Sequence, residues 1–168
     1  GEVPSLNGNY QDAFEANLVE HKKRTLQDVY SRAERSLHLA VNNGYRAIRS
    51  HVDSFGSIAD QSWEALLGLR SEWHSLIELQ LVALVPLEFW STFEGQIFAA
   101  RVAKAGGLLG GVLVPPFDHK GCRSDLLEMF KLANKFGCGI DLHIDESEAL
   151  PAAGLKQLIQ VLDEFELG

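Results

Sequence analysis

Eight consecutive residues, Gly139-Ile140-Asp141-Leu142-His143-Ile144-Asp145-Glu146, hold the densest set of groups able to do chemistry. Ile140, Leu142 and Ile144 alternate with Asp141, His143 and Asp145, the period of a β-strand with one aliphatic and one ionisable face. Carboxylates and an imidazole on a buried strand face are costly unless they are paired, protonated or bound to a metal. His143 can ligate a metal through a neutral ring nitrogen while a nearby carboxylate fixes its tautomer. Glu146, just past the strand end, is placed to move a proton between a metal-bound water and a substrate nitrogen. The structural alternative is a buried histidine hydrogen-bonded to Asp141 or Asp145, and spacing does not separate the two.

Other groups are weaker. His51 and Asp53 close an earlier strand and, on their residues alone, read as a structural pair that hydrogen-bonds loop backbone. Asp118-His119 sits in a Pro-rich loop and reads as solvated, and His21, His38 and His74 read as surface residues on or beside helices. Trp63, Trp73 and Trp90 read as core. Neither Gly106-Gly107 nor Gly110-Gly111 belongs to a dinucleotide fingerprint, no Ser sits in a nucleophile elbow, and Cys122 and Cys138 lack an obvious basic partner.

The elements that must position these groups alternate. After an irregular Gly1–Tyr10 and a short helix over Asp12–Lys23, Thr25 is the predicted N-cap of a helix that ends at Asn42-Asn43-Gly44. Strands are predicted over Tyr45–Asp53, Ile77–Pro86, Leu108–Pro115 and the Gly139 stretch. Helices are expected from Gly56 and Asp60 through Trp73, from a Ser91-Thr92-Phe93-Glu94 capping box to Lys104 or Ala105, through Leu126–Ala133 to Gly137, and after Pro151. The strand centres recur every ~30 residues, the length of a βαβ unit, so the sheet is parallel. In such sheets the working residues gather at the C-terminal strand ends. Those ends are His51 and Asp53, Pro86-Leu87-Glu88, Pro115 to His119, and His143 with Asp145 and Glu146.

Composition bounds the rest. The 168 residues read as a single α/β domain, too short for a closed (β/α)8 barrel. A net charge of −8 argues against nucleic acid or an anionic membrane as partner. No apolar run reaches the roughly 20 residues that span a bilayer, and no signal peptide is evident. Two cysteines without metal or disulfide spacing read as reduced thiols of a cytoplasmic protein.

Taken in order, three stretches resemble the cytosine deaminase branch of the amidohydrolase superfamily: Asn43 to Asp53, Leu79-Gln80-Leu81-Val82-Ala83, and Asp141 to Glu146. The resemblance implies a (β/α)8 TIM-type barrel holding iron or zinc, in which activated water attacks a ring carbon of a cyclic amidine or amide and ammonia leaves. It makes His143 the metal ligand of the fifth barrel strand, Glu146 the proton-shuttling acid, and His51 and Asp53 the end of the second strand, close to the site. Where the family has a substrate-binding Gln after a Pro, this sequence has Leu87 after Pro86. The family's His-x-His pair, its sixth-strand His and its eighth-strand Asp have no counterpart here. The expectation is therefore a partial barrel of about four parallel strands, corresponding to strands two to five, inactive by itself and unable to retain the metal. Its open edges should drive self-association, or mark it as a piece of a longer enzyme. The rival expectations are a non-catalytic α/β module that self-associates or binds a partner, and an open flavodoxin-like sheet.

Overall fold

The computed structural model describes residues 24–56, 58–115, 117, 120–146 and 150–167. The predicted Gly1–Tyr10 connection, the Asp12–Lys23 helix with His21, and Asp118-His119 lie outside the described residues. The chain divides into two compact units, Gly1–Leu79 and Gln80–Gly168.

In the first unit, helix α1 (Leu26–Asn42) starts at a reciprocal capping box. The Thr25 hydroxyl accepts from the Asp28 N–H at 3.2 Å, and the Asp28 carboxylate accepts from the Thr25 N–H at 3.0 Å and its hydroxyl at 2.7 Å. Those bonds from Thr25 pull the Asp28 carboxyl below its ordinary range. The helix stops where Gly44 turns to φ +83°, a conformation glycine adopts without a Cβ penalty. Strand β1 (Ala47–Asp53) and helix α2 (Ala59–Trp73) follow. Leu37 and Ala40 of α1 are buried, as are Trp63, Leu66, Leu69 and Trp73 of α2. Trp63 carries its indole N–H into this core because Ser54 Oγ accepts it at 2.8 Å, and the Ser54 hydroxyl passes on to the Val52 carbonyl at 2.7 Å. His38 and His74 are exposed, His38 meeting the edge of the Trp73 ring at 4.4 Å.

Strand β2 (Glu78–Leu84) begins in the first unit, where the Glu78 N–H donates to the Arg46 carbonyl at 2.9 Å. It continues into the second, which adds a 3-10 turn (Leu87–Ser91), α3 (Phe93–Lys104), β3 (Leu108–Val112), α4 (Lys120–Phe136), β4 (Ile140–His143) and α5 (Ala153–Leu167). β3 pairs with β2 and β4 in parallel, with Val82 opposite Leu108 and Val112 opposite His143. Strand order follows chain order, β1-β2-β3-β4. A flavodoxin-like sheet reverses after its first strand, so that alternative is excluded.

Trp90, fully buried, is the keystone of the second unit: its Nε1–H donates to the Gly110 carbonyl at 2.9 Å and its ring stacks on Phe98 at 6.1 Å and 10°. Gly110 has no room for a side chain, since a Cβ there would lie 2.5 Å from Val82 Cγ1. The capping box expected at Ser91 is displaced by one residue. Ser91 ends the 3-10 turn and gives its hydroxyl to Asp125 at 2.6 Å, so extended Thr92 caps α3 by accepting the Gly95 N–H at 3.0 Å. The third N-terminal residue is then Gly95, which has no side chain to reciprocate. β4 is also shorter than its alternating pattern, ending at His143.

Candidate functional site at the end of strand β4

His143 is the last residue of β4, and its carbonyl accepts from the Leu113 N–H at 2.9 Å, which pins the strand end to the residue after β3. The chain then leaves the strand. Asp145 takes φ +57°, left-handed backbone that Asp tolerates better than most residues. One residue further on, Glu146 has its Oε1 2.7 Å from His143 Nδ1. An ionised carboxylate only accepts, so this contact places a proton on Nδ1. A neutral ring would then keep its lone pair on Nε2, which is shielded from solvent. The two side chains are 30% and 37% exposed, leaving the pair half open.

Asp145 does not share a strand face with His143. Its carboxylate accepts from the N–H groups of Gly154 at 2.7 Å and Leu155 at 3.1 Å, the second and third residues of α5. These are two of the donors that a helix N-terminus leaves without intrahelical partners, and a negative charge there is favoured by the helix dipole. The approach depends on Gly154, whose Cβ would lie 2.9 Å from both Asp145 Oδ1 and Ile144 Cγ2. Leu87 opens the 3-10 turn and is buried, its Cδ1 3.3 Å from the position a Gly111 Cβ would take.

The first unit holds the other predicted residues. Asp53 Oδ2 accepts from Arg24 Nη1 at 3.2 Å, with both side chains largely screened from water. His51 stands two residues earlier on β1, with its Nε2 shielded from solvent. The structure thus joins His143 to Glu146, turns Asp145 to the start of α5, and gives Asp53 a cation. Sequence reasoning missed Arg24, which lies 29 residues from Asp53 with no periodicity to link them. It missed Gly154 as well, although a glycine in the first turn of a helix is itself a sign of close approach.

A metal centre of this chemistry takes three or four protein ligands. Among the described residues no group of three His, Cys, Asp or Glu could hold an ion, and His143 supplies a single donor nitrogen. These residues therefore do not make a complete metal site on their own. Burial raises both thiols, Cys122 and Cys138, above the ordinary range, which keeps them protonated and poor ligands.

A parallel sheet wound in chain order, flanked by helices, with an imidazole and a carboxylate at one strand's C-terminal end, is the arrangement of a (β/α) barrel enzyme. No protein-family profile matches the chain. It is 34% identical over 158 residues to a pterin deaminase of Rhizobium rhizogenes (strain K84 / ATCC BAA-868), covering 90% of this chain and 35% of that protein. It is 26% identical over 148 residues to the N-isopropylammelide isopropyl amidohydrolase of Pseudomonas sp. (strain ADP), covering 88% of this chain and 37% of that protein. Among solved structures it superposes on a 5-methylcytosine deaminase from Klebsiella pneumoniae, liganded with phosphonocytosine, with a TM-score of 0.77 at 24% identity. That match covers 96% of this chain and 39% of the other. Over most of its length the chain is similar to proteins named as deaminases and an amidohydrolase, and its four parallel strands and flanking helices match part of the TIM-type barrel of the deaminase structure. It spans about a third of the length of the curated relatives it matches.

Proposed function

We propose that these residues are part of a hydrolytic deaminase that cleaves an exocyclic C–N bond of a nitrogen heterocycle, a cyclic amidine or amide. The observation that carries this reading is the His143–Glu146 pair at the C-terminal end of β4, in a chain 34% identical to a pterin deaminase. Pterin, isopropylammelide and 5-methylcytosine, the compounds in the relatives' names, share a ring carbon flanked by nitrogen and bearing an amine. Hydrolysis adds water to that carbon, breaks the bond to the amine and leaves a ring carbonyl. Glu146 would take one proton from the water and hand it to the ring nitrogen, then carry the remaining hydroxyl proton to the leaving amine as the carbonyl forms. His143, with Nδ1 held by Glu146, would give Nε2 to iron or zinc in the complete enzyme. His51, Asp53 and Leu87 would line the site, and an apolar Leu87 favours a ring edge that needs no amide partner.

With one ligand of the set, the isolated chain should neither retain metal nor turn over substrate. We place the protein in the cytoplasm, because Cys122 and Cys138 are not joined in a disulfide, which suits a reducing compartment. Among the described residues no helix is long and apolar enough to cross a membrane. In isolation the chain should pair with a second copy of itself. Leu155, Ile159 and Leu162, at helical spacing along α5, are 47%, 48% and 37% exposed. Beside them an apolar groove of about 410 Å³ opens between α4, β4 and α5. The test of the catalytic reading is elemental analysis of the complete protein. His143→Ala should lose its metal and Glu146→Gln should keep it; a His143→Ala variant that keeps full metal content would refute the ligand assignment.

A further inference from the structure

We infer that Asp145 is a positioning residue whose clamp on the first turn of α5 holds Glu146 against His143. Three observations converge on it. Asp145 has left-handed backbone at φ +57°, a conformation that persists when surrounding contacts enforce it. Its carboxylate accepts two N–H groups from α5, at 2.7 and 3.1 Å, across the nine and ten residues to Gly154 and Leu155. The residue after Asp145 is Glu146, whose carboxylate reaches back three residues to His143 Nδ1 at 2.7 Å. Asp145, held in that conformation by the clamp, is the link between His143 and Glu146. Gly154 completes the device, because any side chain there would push into Asp145 Oδ1 and Ile144 Cγ2, both 2.9 Å from its Cβ position.

An ordinary helix cap would hold α5 and leave the imidazole indifferent. The clamp differs in that it fixes the His143 tautomer through Glu146, so the discriminating readout is the ratio of Nδ1–H to Nε2–H imidazole. That ratio is measurable by nitrogen NMR on the 168-residue chain at a pH where the ring is neutral. Loss of one charge-assisted hydrogen bond to Nδ1 should lower it by about tenfold. Asp145→Ala is expected to lower the ratio to that of Glu146→Ala, with Asp145→Asn, which keeps one acceptor oxygen, in between. Gly154→Ala should lower it too while leaving the Asp145 carboxylate intact, and serves where Asp145→Ala does not fold. A wild-type ratio in Asp145→Ala, or in Gly154→Ala if the first variant is unfolded, would overturn the inference.

The catalytic weight of the clamp rests on the deaminase reading. In the complete enzyme Asp145→Ala should lower kcat with little change in KM. Absence of turnover in the wild-type enzyme would remove that reading and leave the NMR result standing.

Discussion

Replacing Trp90 by Phe tests whether the second unit is held together as described. Trp90 is fully buried, donates its indole N–H to the Gly110 carbonyl at 2.9 Å, and stacks on Phe98 while meeting the edge of Phe89 at 5.8 Å. Phenylalanine keeps a ring in place and removes the donor. Loss of the hydrogen bond alone should cost about 1–1.5 kcal/mol. The smaller ring leaves about 40 Å³ empty, which at about 24 cal/mol per Å³ adds about 1 kcal/mol if the site does not collapse. The sum is about 2–2.5 kcal/mol, a drop in Tm of about 4–10 °C for a chain of this size. Urea unfolding followed by near-UV circular dichroism reads it, with an unchanged m-value showing that stability and not the denatured state has moved. A loss below about 0.5 kcal/mol would show that the indole N–H and the packing around it are not what hold the 3-10 turn to β3.

Gly95→Ala should be more severe than Trp90→Phe, because its methyl would sit 2.0 Å from the Phe89 carbonyl oxygen, backbone that cannot yield cheaply; wild-type stability would refute the packing of the turn on α3. Tyr30 donates to Glu72 at 2.5 Å, and this bond, together with the Glu72 charge, pushes the phenol up to about 12. A folded value above the unfolded one means that the bond's contribution is complete below the ordinary 10.0 and is lost as pH rises through about 12. Ultraviolet titration should show one phenol ionising last and absent in Tyr30→Phe, with little change in overall stability because the bond is solvent-exposed.

The frame of the fold was legible because its signals are local. Thr25 caps α1, Gly44 ends it, and the strand centres near Ile48, Val82, Val112 and Leu142 fall in four observed strands. All three tryptophans are buried. The corrections concern residues whose partners are distant. The period-two pattern continues in sequence through Asp145, yet the backbone leaves the strand after His143 because the Asp145 carboxylate finds two donors on α5. With Asp145 drawn to α5, Glu146 is the carboxylate found at the imidazole Nδ1. Ser91 looked like a cap until Asp125, 34 residues away, took its hydroxyl. In each case alternation or a motif described the local chain correctly, and a contact beyond its window decided the outcome.

The central claim is that His143 and Glu146 belong to a working deaminase site. It is tested most directly by ammonia release from amino-substituted heterocycles, pterin and 5-methylcytosine among them, by the complete enzyme and its Glu146→Gln variant. The account predicts release by the wild type and a loss of about 10²-fold or more in kcat in the variant, the scale of a positioned general acid–base. Equal rates in the two, or no release of ammonia from any such ring by the wild type, would contradict it.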